Sequence, residues 1–391
     1  MITRLFSLHY FCIFCVHAVA MAFMSLFWKG LGYPADWINI ATAGLNVGGL
    51  LGAPLIMRLA NFVISPRKLL PLLPLGIAAG FLLLPTDPPP AILPIAVWFG
   101  CCLLHTGSLS LMDYLSCSEG ARRGFSYEQV RVWGSVGCMV GAQIAGSLLD
   151  LSSSSFIPTI GALFAAVTGV TAMLLSKFVP STPLHLTHAT SAVTVPMPWR
   201  AFSPVLVAWL LISASHATLY LLLSIHLENL GWSGSWISVA WNVGIGAEVA
   251  VFFLYSRVES FICHRSLFFL SALITAARWA ILGSTVSGPL ILTSQLLHAV
   301  SFGCLHITTI RLMQRIVPPE RRPTGQALLS ACGMGLGVLF GTALVNIGMH
   351  WLVGTSNPIL QLFWFSAALA LVAALITRLI PNPREHPLTT R

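Results

Sequence analysis

Charge is scarce in this sequence, and the scarcity decides its class. Asp, Glu, Lys and Arg make up 8% of the 391 residues, while 56% are hydrophobic. Soluble domains carry about 25% charged residues, so a water-soluble globular fold is excluded and an integral membrane protein is implied. Long polar stretches are equally rare, which leaves little chain for a soluble domain. No Walker A sequence occurs, which argues against ATP drive. No redox or nucleophilic constellation is discernible, so the chain reads as a non-enzyme without a cofactor. Cysteine is present, but Cys12 and Cys15 form a CxxC on an apolar run with no second pair to complete a zinc site. They read as small buried residues.

What the chain does have is apolar runs. Windows of roughly 20 residues predict about twelve membrane-crossing helices. They begin near Leu5, Trp37, Leu69, Ala91, Val132, Phe156, Ala201, Trp236, Leu267, Gly288, Ala327 and Asn357. The N-terminus imitates a signal peptide, with Arg4, an apolar run and Ala18-Val19-Ala20. The run continues to Trp28, however, and is read as the first helix. The formal charge of +9 would point to nucleic acid in a soluble protein, but here its distribution is topological. With the N-terminus in the cytoplasm, every Lys and Arg except Lys29 and Arg278 falls on the cytoplasmic side. That positive-inside pattern places both ends in the cytoplasm. Short connections and the lack of a targeting peptide fit a bacterial inner membrane. The expected partners are the lipid bilayer and a small molecule, with the protein a monomer.

The sequence also matches itself. Residues 31–38, LGYPADWI, align with residues 230–237, LGWSGSWI, at an offset of 199. The same offset pairs His17 with His216 and Arg58 with Arg257, and an offset of 193 pairs His105 with His298. Helices one, two and four therefore correspond to seven, eight and ten, a parallel repeat of six helices. The expected organisation is a bundle over 1–176, a cytoplasmic linker over 177–200 and a second bundle over 201–391. The linker is rich in Pro, Ser and Thr and lacks helical periodicity. Thr86-Asp87-Pro88-Pro89-Pro90 reads as an outward turn. Glycines recur in helices two, five and eleven, where they line interfaces that either slide or pack statically.

Three charges lie inside apolar stretches: Asp113, Glu248 and Arg278. An ionisable group in hydrocarbon is costly and faces a cavity or a partner. Glu248 is twelve residues past Trp236, about 18 Å along a helix, near the midplane. Arg278 reaches a similar depth on helix nine. They are candidates for proton coupling; a static ion pair is the alternative. Asp113 lies toward the cytoplasmic end of helix four, with Arg131 across the loop. The two form a candidate gate, with a permanently hydrated acid as the alternative and a proton-coupling role as a third reading. Helix ten carries Gln295, His298, Phe302 and His306 as one stripe. The stripe can line a cavity, consist of structural histidines, or bind metal, although no full ligand set can be assembled. His216 and Tyr220 on helix seven, His17 on helix one, and Trp241 with Asn242 on helix eight complete the candidate substrate-binding residues.

Twelve helices in two parallel six-helix halves resemble the major facilitator superfamily. Within it, YEQVRVWGSVG at residues 127–137, His216-Ala217 with Tyr220, Ala247-Glu248-Val249, Arg278-Trp279, and His298 with His306 resemble the 3-phenylpropionate transporter family. The resemblance implies an all-α polytopic fold that imports a small aromatic carboxylic acid with protons, by alternating access. The coupling ion is then a proton and the substrate an organic anion. It also implies that helix eight lines the cavity and helix nine is peripheral, so that Arg278 pairs with Glu248 rather than holding substrate. One departure is that residues 52–68 keep the glycine and basic residues of the superfamily's gate motif but lack its acid. A permease or exporter of a sugar, nucleoside or drug is the alternative reading, and a non-transporting sensor is a third.

Overall fold

Apolar runs of this length must satisfy their backbone polar groups internally, and helices do so. The computed structural model describes residues 1–84, 92–184 and 195–381, except the side chains of residues 252, 253, 256, 258 and 334. The turn at Thr86–Pro90, most of the linker, Arg384 and Arg391 lie outside the described residues. The helical segments are α1 (Ile2–Ala22), continued by a short helix Met24–Gly30, α2 (Ala35–Phe62), α3 (Pro66–Leu82), α4 (Ile92–Arg123), α5 (Tyr127–Asp150) and α6 (Ser154–Ser176). There follow α7 (Trp199–Asn229), α8 (Gly234–Phe261), α9 (His264–Ser284), α10 (Gly288–Ile316), α11 (Pro319–Trp351) and α12 (Pro358–Leu379). Ten of these are long and apolar enough to cross a membrane, and α3 and α8 are further helices beside them. No strand occurs among the described residues. The chain is an all-α, multi-pass membrane protein.

Local chemistry sets several boundaries. Ser126 and Gln129 form a reciprocal capping box that starts α5, satisfying two otherwise orphaned N–H groups. The start of α11 is Pro319, ahead of the expected Ala327, because Pro318 and Pro319 open a tight 3-10 turn that runs straight into it. Two π-helical stretches, Ala299–Cys304 in α10 and Ala331–Gly337 in α11, have no signature in hydrophobic periodicity.

By contacts, the chain divides into two compact units. The first holds Met1–His188 with Tyr220–Asn242, and the second holds Ala189–Leu219 with Val243–Arg391. In the first, α1 packs on α5 and α6, α2 on α4, and α3 on α6. In the second, α9 packs on α12 and α10, while α7 meets α11 through glycines. A Cβ on Gly137 would strike the Phe11 carbonyl and one on Gly141 would strike Cys15; in the same way Gly337 faces the Leu210 carbonyl and Gly341 that of Ala214. Those partners stand 199 apart, the repeat offset. Small residues at these points let the helices approach closely.

The repeat also governs a turn. Gly32 and Gly231 both adopt positive φ, 77° and 80°, which glycine tolerates without a Cβ clash. In each copy the same two bonds close the helix end: Gly32 N–H to Lys29 O at 2.9 Å and Tyr33 N–H to Trp28 O at 3.1 Å, against Gly231 N–H to Glu228 O at 2.9 Å and Trp232 N–H to Leu227 O at 3.0 Å. This is the Schellman pattern. Nearby, Lys29 Nζ donates to Glu228 Oε2 and to Asn229 Oδ1, both at 2.6 Å, so two equivalent repeat positions carry opposite charges and pair.

Asp150, the last residue of α5, accepts from the backbone N–H groups of Gly234 and Ser235 and from the Ser235 hydroxyl. A carboxylate at a helix N-terminus satisfies orphan donors and complements the helix dipole. Asp150→Ala is therefore expected to cost about 1 kcal/mol of stability, and Asp150→Asn less. The midpoint of thermal denaturation in detergent checks this; equal midpoints for wild type and Asp150→Ala would remove the capping role.

Candidate functional site

Arg278 on α9 is wholly buried, one of the largest side chains that is. An isolated guanidinium at such a place is prohibitive, so its donors must be used. They are met by α10. Arg278 donates from one terminal nitrogen to His298 Nδ1 at 2.9 Å and Ser301 Oγ at 3.0 Å, and from the other to Gln295 Oε1 at 2.7 Å. Three of the five N–H groups of the guanidinium are thereby spoken for by one helix. Residues 295, 298 and 301 recur every three positions, which puts them on one face. The π-helical stretch that follows His298 spans Ser301 and Phe302, and such stretches concentrate at functional sites.

His298 then reaches the other way. Its Nε2 lies 3.5 Å from Glu248 Oε2 on α8. The tautomer follows from the partners. A guanidinium only donates, so Nδ1 must be the bare acceptor, and the ring proton sits on Nε2, facing the carboxylate. His298 thus stands between acid and base. Glu248 and Arg278, the pair expected from the sequence, both contact this one imidazole. Gly303 makes room for it, since a Cβ there would come within 3.1 Å of Glu248 Cγ. Burial grades across the three: the Glu248 side chain is 20% exposed and His298 12%, while Arg278 is at 0%. Arg278 acts from behind.

Aromatic rings surround the trio. His216 on α7 is buried, and its Nδ1 lies 2.9 Å from the Ile212 carbonyl. Its ring meets Trp279 edge-on at 4.9 Å and comes within 6.4 Å of His298 and 6.1 Å of Phe302. Trp279 is fixed by donating to Ser215 Oγ at 3.1 Å. Along α10, His298, Phe302 and His306 stack at 5.2 and 5.8 Å with nearly parallel planes. The stripe expected on helix ten is therefore real, and Gln295, His298, Phe302 and His306 belong to one constellation with Glu248, Arg278 and His216. Ser215, Ser301 and Gly303 were missed; small and hydroxyl residues on apolar helices are too common to single out.

The first unit repeats the pair of histidines. His17 Nδ1 and His105 Nε2 are 3.1 Å apart with stacked rings, at the places that His216 and His298 take in the second copy. Asp113 accepts from Tyr10 at 2.6 Å and Tyr127 at 3.2 Å. The Arg131 guanidinium instead lies over the Phe14 ring at 4.2 Å and the Tyr10 ring at 5.8 Å. Asp113 and Arg131, the candidate gate, thus carry two phenols on the acid and two rings under the base. The other candidates bond to neighbouring helices. Trp241 donates to Ser224 Oγ at 3.0 Å, and Asn242 donates to the Met139 carbonyl at 3.1 Å. These two, with Tyr220, fall in the first unit by contacts, because the start of α8 bonds to α7 and α5. Among the described residues, no group of three or more His, Cys, Asp or Glu converges as a metal site.

Comparison with known proteins places this arrangement. The profile of the MFS_1-like family matches residues 3–362. A "Probable 3-phenylpropionic acid transporter" of Escherichia coli (strain K12) is 26% identical over 400 residues, covering 97% of this chain and 98% of the relative. A maltose permease of Geobacillus stearothermophilus is 25% identical over 254 residues, covering 64% of each chain. Among solved structures, the nucleoside transporter NupG superposes with a TM-score of 0.80 at 15% identity, over 97% of this chain and 98% of that one. The POT family transporter PepTSo gives 0.76 at 12% identity, over 100% and 99%.

Proposed function

We propose a function from one premise: the chain belongs to the MFS_1-like family, and is a membrane transporter rather than an enzyme. It is a proton symporter that imports a small aromatic carboxylate, such as a phenylpropionate, across a bacterial inner membrane by alternating access, with both termini cytoplasmic. Glu248 carries the proton, His298 holds that side chain against Arg278 through its two ring nitrogens, and Arg278 supplies the fixed positive charge. The observation that carries this reading is the wholly buried guanidinium held against Glu248 through one imidazole.

The charge balance explains why an anion and a proton would move together. With Glu248 ionised, acid and base cancel. Protonation of Glu248 leaves the centre with one net positive charge, and a monoanionic carboxylate restores neutrality. A neutral centre crosses the low-dielectric stage of the cycle at less cost than a charged one. The unloaded centre and the doubly loaded centre are neutral, while either half-loaded state is not. Coupling then follows from electrostatics. A neutral sugar or nucleoside gains nothing from this arrangement, which favours the acid over the alternative solutes.

The test is uptake of labelled 3-phenylpropionate into proteoliposomes with an imposed pH gradient. One proton with one monoanion is electroneutral, so a pH gradient, acid outside, is expected to drive accumulation. A potassium-diffusion potential alone is expected to drive none. Accumulation indifferent to a protonophore would discard symport, and accumulation of maltose but of no aromatic acid would discard the substrate class.

A further inference from the structure

At the far end of the histidine stripe, the second unit holds a small cavity of about 30 Å³. Its walls include Trp209 on α7, His306 and Thr309 on α10, and Gln326, Leu329 and Ser330 on α11. A buried water needs about 10–15 Å³ and two to four polar partners, so one or two waters fit and nothing larger does. His306 Nδ1 is buried and has no hydrogen-bond partner among the described residues. A buried polar atom left unmet calls for water to match it. The indole whose ring lies 5.6 Å away cannot do so, because Trp209 donates to the Leu329 carbonyl at 3.0 Å. The hydroxyls of Thr309 and Ser330 and the Gln326 amide supply the further partners that water needs. Among the described lining residues, His306 is the one that titrates.

The proton carrier stands next to this imidazole. Glu248 lies over Gly303, three residues before His306: a Cβ on that glycine would come within 3.1 Å of Glu248 Cγ and 3.7 Å of its Cα. The carboxylate approaches His298 at 3.5 Å, and its charge also acts on the His306 ring. His298 cannot take a proton from it, since Nε2 already carries one and Nδ1 accepts from Arg278. Nor can His298 pass one along the stripe, because the Phe302 ring is stacked between the two histidines. His306 has no such commitment, and its ring is only half-buried. On α11, Gln326 and Ser330 are exposed, and Gln326 stands four residues beyond Arg322. The cavity thus opens toward the basic end of the helix, cytoplasmic in the reading above.

We propose that His306 and the water it binds in this cavity form the release path for the proton carried by Glu248. The proposal rests on the symport reading above. The proton leaves the Glu248 carboxyl for Nε2 of His306, and the proton on Nδ1 passes to the cavity water. Glu248 regains its negative charge, the imidazole ends neutral with its proton moved from Nδ1 to Nε2, and the released proton departs past Gln326 and Ser330. An imidazole suits this step because it takes a proton at one nitrogen and gives one up at the other. In the first copy, the equivalent pair Tyr10 and Asp113 bond directly at 2.6 Å, so the path belongs to the second unit.

The experiment measures two rates in the same proteoliposomes for wild type, His306→Gln and Ser330→Leu. One is net uptake of labelled 3-phenylpropionate under a pH gradient; the other is exchange of internal for external substrate, which needs no deprotonation. Gln at 306 can bond to water but cannot pass a proton. His306→Gln is expected to lower the ratio of net uptake to exchange by about 100-fold, the low end of what a positioned proton-transfer group contributes. Imidazole in the vesicle lumen is expected to restore part of that ratio, which it would not do for a structural loss. Ser330→Leu leaves His306 in place but fills the room for water, and is expected to lower the ratio likewise. An unchanged ratio in either variant, loss of exchange along with net uptake in His306→Gln, or a loss there that luminal imidazole does not touch would overturn the release path and leave the symport reading standing. Wild-type uptake indifferent to the pH gradient would overturn both.

Discussion

Glu248→Gln is expected to abolish net proton-driven accumulation while preserving exchange of labelled for unlabelled substrate. Gln holds the shape of the protonated acid and stays neutral at every pH. The loaded carrier is therefore close to wild type and shuttles substrate in both directions. The empty carrier is not. It must return with the Arg278 charge uncompensated, and breaking a buried pair by removing one partner costs about 3 kcal/mol or more. That converts to over 100-fold in the rate of the return step. Net uptake and counterflow, measured side by side in the same proteoliposomes, separate the two steps. Loss of both together would make Glu248 a structural residue, and full net uptake would end its role as proton carrier.

The second large effect is expected at Arg278. Arg278→Leu removes the charge that balances Glu248 and unmakes three hydrogen bonds, to Gln295, His298 and Ser301. Hydrogen bonds to charged groups are worth about 1.5–3 kcal/mol each, so uptake should fall more than 100-fold and the melting midpoint should drop. Arg278→Lys does not restore it, because a compact ammonium cannot reproduce the planar fork that serves three acceptors on one face of α10. The double variant Glu248→Gln with Arg278→Leu discriminates structure from transport. It carries no uncompensated charge, so its melting midpoint should recover most of the loss while accumulation stays absent. A midpoint no better than that of Arg278→Leu alone would mean the two residues are not energetically linked through His298.

The three charges inside apolar runs were legible in the sequence because charge is so rare here that each one there demands a reason. Their partners were not. Asp113 was assigned to Arg131 by proximity across a loop, but phenols from Tyr10 and Tyr127 reach it. Tyr10 lies more than a hundred residues away on α1, and nothing in a sequence window records that neighbour. Glu248 and Arg278 were matched by depth alone. The imidazole between them was visible only as part of a stripe on helix ten, without its direction. Trp241 was picked because an indole near mid-helix fits a cavity; the partner of its N–H, Ser224 on α7, was not legible. Trp209, whose indole N–H closes on the Leu329 carbonyl, carried no signal at all on an apolar helix.

Membrane class and the all-helical character were determined by the sequence alone, because hydrophobicity sums over a window, and the internal repeat leaves its spacing in the chain. The Schellman turns at Gly32 and Gly231 are equally local. Partner choice was left to the tertiary structure. It depends on how each helix is rotated about its axis, and a shift of one residue swings a side chain by about 100°. The π-helical stretch after His298 alters that rotation within a single helix, so only the folded protein decides that His298 faces Arg278 with one nitrogen and Glu248 with the other.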